Sequence, residues 1–539
     1  MQSFGVDFSA SEIAKESTKP NPIEKPTNKK PQISRIPQKD ESITQLDGIK
    51  ITVNSFILDG NYAVKTNELL PILSDFEKKE LTLSMIYDAA QKITKEYEKR
   101  GYFAAKAYIP EQEVGGGVVK IKILEGKYGE IEIKNNSLVR DMIAVSVTEK
   151  LKKEKILSTK GLERTLILLN ETPGVKVEAV KIKEGKKPEE SDIEIELSKT
   201  DRLGGYIMYD NYGGKYIGKN RLSLTTSIDS PTQIGDKLEL SGLTSDGGLI
   251  KNYTVGYNLP LGYNGLRASF GYSSVSYKLS GEYTELNAIG KSESANIGLS
   301  YPFIKNVETE LTGNLSVDGK KLKDEIKIFD QSTRKKGVST SASLLFFKKL
   351  DDFEIAASGS ITAGKIVFDD KEAKESDDGG AAIGGSYAKT NGSLSVNYKY
   401  TDTSSIFFSF KGQQAISNHN LDGGDDFLMS GSGAARGYPT GEYSTENGYL
   451  ISISHDTQMP EMFTIKYRLG FFVDYARGYP QNNFAAEKSK TLSNIGVSIL
   501  GYFKDAFFKL EIAKIIGSQK VTAEYPTDYR GLLLLGYKI

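Results

Sequence analysis

The sequence predicts a transmembrane β-barrel of about sixteen antiparallel strands, preceded by two small α/β domains and an N-terminal helix with a linker. Two observations predict this fold class. Short alternating segments follow one another from about residue 200 to the terminal Ile539, and turn residues separate them. Two β-α-α-β-β modules of about 75 residues, a size typical of small domains, come before this region.

The alternation is clearest in the strand that surrounds Asp474. Neighbouring residues of a strand point to opposite faces of the sheet. One face of this strand carries Ile465, Tyr467, Leu469, Phe471, Val473 and Tyr475, and the other carries Lys466, Arg468, Gly470, Phe472 and Asp474. An aromatic-rich apolar face opposite a polar face is typical of a barrel with lipid outside and a polar lumen.

The predicted domains are residues 1–20 as a helix, 21–48 as a linker, 49–126 and 127–199 as the two modules, and 200–539 as the barrel. The linker is rich in Pro, Lys and Asn and is expected to be extended and mobile. Within the barrel, the Gly-rich region 379–402 is predicted to be one long hairpin or one kinked strand. The longest connection, 417–445, exceeds the normal length of a loop and is expected to be functional.

Composition excludes several classes of function. The 70 basic and 70 acidic residues give a net charge of zero, which does not favour nucleic-acid binding. The chain has no Cys, and His419 and His455 are too few for an ordinary zinc site, so we expect no metal and no cofactor. Lys389-Thr390 lacks the glycine and the strand-loop-helix context of a phosphate loop, and no catalytic constellation is found, so we expect no enzyme.

The first residues of the chain do not resemble a signal peptide. A barrel bound for an outer membrane is expected to carry one, with a basic region followed by an apolar region. Neither region is present in Met1-Gln2-Ser3-Phe4-Gly5. We therefore expect that residue 1 belongs to a mature or truncated chain.

An ordered set of motifs resembles the outer-membrane transporters of two-partner secretion, which belong to the superfamily of barrels with POTRA domains. Segment 93–133 resembles a first POTRA domain, and segment 210–240 resembles the first barrel hairpin. The tripeptides that carry the rest of the resemblance are Asp425-Asp426-Phe427, Arg436-Gly437-Tyr438 and Phe472-Val473-Asp474. A second Arg-Gly-Tyr, at 477–479, is predicted to be a loop.

This resemblance implies a bacterial outer-membrane protein, with its POTRA domains in the periplasm, that recognises and translocates a large β-helical exoprotein. Such clients include adhesins, haemolysins and contact-dependent toxins. It also implies that the long loop and the N-terminal helix lie in the pore at rest. The expected partners are the unfolded client and membrane lipid, with no nucleic acid, and the chain is expected to be a monomer.

Two sites are predicted from the residues. Arg436 should pair with Asp474 in the lumen, because the loop is too long for a simple turn and Asp474 lies on the polar face of its strand. The resemblance implies that Gly437, Tyr438 and Phe472 belong to the same site, so the predicted lumenal loop lock consists of Arg436, Gly437, Tyr438, Phe472 and Asp474.

The second site is a client-docking edge on the first module. A free strand near 104–110 could accept an extended peptide beside the preceding helix. The residues assigned to it are Tyr102, Ala105, Ala107, Tyr108 and Ile109. The alternative, that Tyr102, Tyr108 and Ile109 are only local core, predicts the same pattern and stays open.

Two other functions compete with secretion. An insertase that assembles other outer-membrane barrels would share the superfamily, but two modules rather than more argue against it. A simple porin is the third possibility, although diffusion requires no client-docking domain.

Overall fold

The computed structural model describes residues 9–10, 14–15, 32–35, 50–154, 156–187, 189–417, 419–481, 489–522 and 527–539, with backbone only for 32–35. The chain forms two compact units. The α/β unit comprises Thr27–Thr200 and Thr232–Gly235. The barrel unit comprises Asp201–Pro231, Asp236–Ile539 and residues 1–26 as far as they are described.

The first module of the α/β unit has a three-stranded sheet in the order β3-β6-β5 and a two-stranded sheet of β2 and β4. Its strands are β2 (Lys50–Val53), β3 (Ser55–Asp59), β4 (Lys79–Thr82), β5 (Lys106–Tyr108) and β6 (Val118–Leu124). Its helical segments are Thr66–Leu69, the 3-10 helix Leu70–Phe76 and the long helix Leu83–Lys99.

The long helix packs its apolar face into the core of this module. The Thr82 hydroxyl caps its start by accepting the Met85 amide at 3.3 Å. The chain leaves the helix through Gly101, whose φ of +91° favours glycine. Its buried residues repeat at helical spacing and are Ile86, Ala89, Ala90, Ile93 and Tyr97.

A buried hydrogen bond ties the end of this helix to the sheet. The Tyr97 hydroxyl donates to Glu125 at 2.8 Å, and the Ala63 amide donates to the same carboxylate at 2.6 Å. Burial, reinforced by the Glu125 carboxylate, raises the pKa of Tyr97 well above its usual value. Tyr97 therefore stays a neutral donor at physiological pH.

The second module has a four-stranded sheet in the order β1-β8-β9-β7. Its strands are β1 (Gln32–Arg35), β7 (Lys127–Asn136), β8 (Lys176–Glu184) and β9 (Glu190–Ser198), and its helices are Asp141–Lys153 and Thr159–Asn170. Strand β1 lies within the segment 21–48 that was expected to be an extended linker, and it pairs in parallel with β8. Without β1, β8 would present an open sheet edge, and a short extended segment can pair with such an edge.

One carboxylate on this sheet forms ion pairs with three lysines. Glu194 on β9 accepts from Lys134 at 2.8 Å, Lys181 at 3.2 Å and Lys183 at 2.5 Å. These bonds, that of Lys134 foremost, hold the pKa of Glu194 well below its usual range. The cross-strand contacts link β7, β8 and β9 on one face.

The barrel unit is a closed ring of sixteen antiparallel strands, which confirms the predicted fold class. Pairing of β10 with β27 closes the ring, from Tyr206 opposite Lys538 to Asp210 opposite Leu534. In ring order the strands are β10 (Leu203–Asp210), β11 (Arg221–Asp229), β12 (Lys237–Ser245), β13 (Ile250–Pro260), β14 (Arg267–Lys278), β15 (Ala288–Lys305), β16 (Thr309–Ile326), β17 (Gln331–Lys349), β18 (Phe353–Phe368), β19 (Gly385–Lys399), β20 (Ser404–Ala415), β23 (Asn447–Gln458), β24 (Lys466–Tyr479), β25 (Lys490–Phe503), β26 (Ala506–Ile515) and β27 (Tyr529–Lys538).

Alternation along the strands has the predicted sense. On β24, Phe471 is 68% exposed and Val473 is 46% exposed, whereas Phe472 and Asp474 between and beside them are buried. The exposed apolar side chains form the outer surface, and the polar side chains face the interior, as a membrane barrel requires. No helix among the described residues is long and apolar enough to cross a membrane.

Three local features differ from the expectations or refine them. The Gly-rich region 379–402 contains the single strand β19, and a helix, Lys371–Asp378, precedes it. The second Arg-Gly-Tyr, at 477–479, lies in β24 and is not a loop, because its residues pair with β23 from Asn447 to Tyr449. The long loop carries a small two-stranded sheet of its own, β21 (Phe427–Leu428) with β22 (Ser444–Thr445).

Candidate functional site

The centre of the candidate site is an ion pair between the long loop and the wall of the barrel. The Arg436 guanidinium donates to both carboxylate oxygens of Asp474, from Nε at 2.9 Å and from Nη2 at 2.8 Å. The Arg436 backbone amide adds a third bond to the same carboxylate at 3.2 Å. Asp474 has no exposed surface, so the bidentate pair fixes both the position and the orientation of the loop.

Strand register supplies two more donors to the same carboxylate. Ser452 on β23 and Asn494 on β25 lie directly opposite Asp474 on the neighbouring strands. The Ser452 hydroxyl donates to it at 2.9 Å, and the Asn494 amide donates at 2.9 Å. Asp474 is therefore hydrogen-bonded from both sides of its own strand, which compensates for its burial.

A second carboxylate on the wall binds the other end of the guanidinium. Glu511 on β26 accepts from Arg436 Nη1 at 2.9 Å and from Lys509 at 2.9 Å. Sequence reasoning missed Ser452, Asn494 and Glu511. They are ordinary inward-facing polar residues of their strands, and only the pairing of strands brings them to Arg436.

The Phe472 ring packs against the Arg436 guanidinium. The Arg436 Cζ atom lies 3.4 Å from the centroid of the Phe472 ring, a cation–π contact. The ring itself occupies the space above Gly496 on the adjacent strand, where a Cβ would come within 2.2 Å of Phe472 Cζ. A glycine at 496 is therefore needed for Phe472 to lie flat along the wall beneath Arg436.

Gly437 and Tyr438 bring the loop close to the wall. The Gly437 amide donates to the Asn494 side chain at 3.1 Å, and a Cβ on Gly437 would lie 2.9 Å from Asn494 Cβ. Tyr438 is fully buried, and its hydroxyl donates to the Gln519 carbonyl at 3.3 Å. Arg530 on β27 donates to the Tyr438 carbonyl. All five residues of the predicted loop lock thus lie together.

The described part of the N-terminal segment also lies within the barrel unit. Ala10 is buried in an apolar cluster of barrel residues that includes Tyr277 and Leu322. Its amide donates to Asp324 on β16 at 2.8 Å, and the Tyr277 hydroxyl donates to the same oxygen at 2.7 Å. The rest of the predicted helix 1–20 is described only at residues 9, 14 and 15.

The predicted client-docking residues are buried or partly buried, and the amide of one of them is already hydrogen-bonded. Strand β5 lies at the edge of its sheet and pairs with β6 on one side. Ala105 and Ala107 are buried in the core of the first module, and Tyr102 and Ile109 pack against that core. Tyr108 is half-buried. The Ala107 amide is not free, because it donates to the Thr94 hydroxyl of the long helix at 2.9 Å.

Comparison with known proteins identifies the family. The model of the haemolysin secretion/activation protein family ShlB/FhaC/HecB matches residues 189–499. The chain belongs to this family. The model of the ShlB-type POTRA domain matches residues 51–126, which include the first α/β module.

Relatives and solved structures agree with this assignment. The heme/hemopexin transporter protein HuxB of Haemophilus influenzae is 28% identical over 84% of this chain and 80% of its own length. The outer membrane transporter CdiB of Escherichia coli is 22% identical over 51% of this chain and 47% of its own length. The solved structure of that organism's CdiB has the same fold, with a TM-score of 0.77 at 18% identity, over 94% of this chain and 93% of the other.

Membership of this family establishes the functional class of the protein and its location in the cell. The protein is an outer-membrane transporter of two-partner secretion with POTRA domains in the periplasm, and it exports a large exoprotein. The two relatives HuxB and CdiB are transporters. The insertase alternative is not favoured: BamA from Haemophilus ducreyi shares the barrel fold with a TM-score of 0.52 at 14% identity, which is a likeness of fold alone.

Proposed function

We propose that the loop 417–445 closes the lumen at rest and that the pair of Arg436 with Asp474 is its lock. The observation that carries this proposal is the bidentate bond between Arg436 and a carboxylate with no exposed surface. A charge buried in this way is stable only while its partner stays in place. The loop therefore has one strongly preferred position, and moving it exposes two charges.

Residues 1–20 act as a second, separable plug. Support comes from Ala10, which is buried among barrel side chains and bonded to Asp324. The cluster that holds Ala10 includes side chains of β12 to β16, whereas the lock involves β23 to β26. Because the two sets of contacts share no residue, one occluding segment can leave while the other stays.

The client docks on the first POTRA domain at the edge formed by β5. The Ala107 amide points toward this edge but donates to the Thr94 hydroxyl. Strand addition would therefore exchange this bond for one to a carbonyl of the client. Tyr102, Tyr108 and Ile109 are only partly buried beside it, and they offer apolar surface to alternate side chains of the bound peptide.

The client is one large β-helical exoprotein: an adhesin, a haemolysin or a contact-dependent toxin. The name of the relative HuxB adds a heme- or hemopexin-related exoprotein to the clients that should be tested first. The transporter works as a monomer in the lipid of the outer membrane, because sixteen strands of one chain already close the ring. Folding of the client outside the cell makes its passage one-way.

Co-expression with a candidate client tests this function. The gene beside that of the transporter should encode a very large secreted protein. With both genes present, the client should appear in the medium or on the cell surface, and it should stay in the periplasm when the transporter is absent. Equal export with and without the transporter would contradict the proposal.

A further inference from the structure

The arm of the loop that precedes Arg436 makes a second set of ionic contacts with the barrel. Asp422 has no exposed surface and accepts from Lys335 on β17 at 2.6 Å. Asp425 accepts from Lys320 on β16 at 2.7 Å and from Lys389 on β19 at 3.1 Å. Three strands of the wall thus supply cations to two carboxylates of the loop.

The backbone of this arm is held as well. The Asp425 carbonyl accepts from Lys389 Nζ at 2.5 Å and from the Gln413 amide on β20 at 2.9 Å. Lys320 also reaches Asp422, at 3.4 Å. Because side chains and main chain are both bound, this cluster fixes the path of the loop and does more than neutralise charge.

These contacts are not ordinary surface salt bridges. The side chains of Asp422 and Lys335 are 0% and 7% exposed, and those of Asp425 and Lys389 are 15% and 12% exposed. Exposed ion pairs contribute little to stability, whereas removal of one partner of a buried pair leaves an uncompensated charge and is strongly destabilising. Release of this arm is therefore a separate step with a considerable cost.

The two sets of contacts lie on different parts of the wall, the second on strands β16 to β20 and the first on strands β23 to β26. Lys320 is on β16, the seventh strand of the ring, and Glu511, which binds Arg436, is on β26, the fifteenth. In the ring of sixteen strands these two are eight positions apart, whereas Lys389 on β19 and Asp474 on β24 are three positions apart. Asp425 and Arg436 are eleven positions apart in sequence, and an extended chain of that length reaches roughly 36–40 Å.

We propose that Asp422 and Asp425, bound by Lys320, Lys335 and Lys389, form a second anchor that ties the loop to a second part of the wall and must be released before the client passes. This inference rests on the proposed role of the loop in closing the lumen. The charges of the second anchor are reversed relative to the first. Carboxylates of the loop bind cations of the wall here, whereas at the other end Arg436 of the loop binds carboxylates of the wall.

Conductance without any client tests whether the anchor holds the loop. The full-length protein would be measured in planar bilayers with Asp422→Asn and Asp425→Asn combined, which removes charge at nearly constant shape. The ratio of released to anchored loop should rise on the order of a hundredfold, so open events should become more frequent than in the wild type. A folded double variant with wild-type conductance would overturn the proposal.

Two further variants distinguish loss of the second anchor from general damage to the barrel. Lys323→Ala changes a lysine on the same strand, β16, that pairs with Glu325 and not with the loop, and it should leave conductance unchanged. The double variant Lys320→Met with Asp425→Asn should raise the frequency of open events by less than the two single changes added together. Both members of the ion pair are then removed, so neither is left as an uncompensated charge. Strictly additive effects would count against a direct interaction.

A reversible cross-link tests whether the anchor must open. The chain has no cysteine, so Lys320→Cys with Asp425→Cys gives one defined pair. A bifunctional methanethiosulfonate would join them, and a reductant would separate them. Cross-linked transporter should lose export of the client and regain it on reduction, and undiminished export by the cross-linked form would refute the release step. If even the wild type exports no client, the proposed function fails, whereas the conductance result still decides the anchor.

Discussion

Loss of the Arg436 side chain is expected to impair secretion while the barrel stays inserted. Arg436→Ala removes the guanidinium that joins Asp474 and Glu511 and leaves both carboxylates facing the vacated space. Glu511 keeps Lys509 as a partner, and Asp474 keeps two neutral donors from adjacent strands. The wall strands therefore stay paired, and the change acts on the position of the loop.

The structure allows the size of the effect to be worked out. Two side-chain bonds from Arg436 reach the Asp474 carboxylate, and a hydrogen bond to a charged group contributes about 1.5–3 kcal/mol. Their sum, about 3–6 kcal/mol, overlaps the cost of about 3–5 kcal/mol for removing one partner of a buried ion pair. Three kcal/mol corresponds to a change on the order of a hundredfold in the ratio of anchored to released loop.

Loss of Asp474 and loss of Arg436 should not impair secretion equally. Asp474→Ala leaves Arg436 with Glu511 at 2.9 Å, so its effect should be smaller than that of Arg436→Ala. Arg436→Lys keeps the charge but cannot donate two parallel bonds, and it should fall between the wild type and Arg436→Ala.

Export of a co-expressed client into the medium measures these differences, with heat-modifiable mobility on gels as the check that the barrel is folded. The Cys-free chain also permits maleimide labelling of Gly433→Cys, which would report displacement of the loop directly. Full secretion by both Arg436→Ala and Asp474→Ala would refute the lock.

Three further predictions concern the plug, the loop and the docking edge. Deletion of residues 1–20 should raise single-channel conductance yet leave secretion largely intact, and unchanged conductance would place the segment outside the pore. Gly437→Ala should impair secretion, since the new Cβ would lie 2.9 Å from a wall Cβ, whereas Gly433→Ala, which meets nothing within 4 Å, should behave as wild type. Ala107→Pro should abolish secretion because proline has no N–H, and Thr94→Val, which frees that N–H, should preserve it. Equal loss in both would mean that the helix-to-strand bond is structural and that the client binds elsewhere.

The alternating pattern was sufficient to predict the barrel because it is local. On β24 the exposed Phe471 and Val473 alternate with the buried Phe472 and Asp474, as their sequence order requires. The spacing of Ile86, Ala89 and Ile93 likewise predicts the buried face of the helix Leu83–Lys99. Such periodicities depend only on the geometry of one strand or one helix.

The structure adds contacts that the sequence did not indicate where a distant segment supplies the partner. Residues 32–35 have the composition of a linker, and they form a strand because β8 offers them an open edge. A free strand edge was expected near 104–110, and there the Ala107 amide donates to the Thr94 hydroxyl of the preceding helix. Neither partner can be read from the local pattern of the segment concerned.

The candidate site shows the same difference between what a local pattern indicates and what contacts with distant segments decide. Motif order in the sequence was enough to name Arg436 and Asp474 as a pair, since both stand out as charges in an unusual loop and on a polar strand face. The sequence did not single out Asn494, Glu511 or Lys320, each of which is one polar residue among many on an inward face. Strand register and closure of the ring place them beside the loop, and both depend on contacts between residues far apart in the chain. The sequence by itself therefore determined the barrel, the modules and the charged ends of the lock, while only the tertiary structure decided which wall residues hold the loop, because pairing across strands has no local signature.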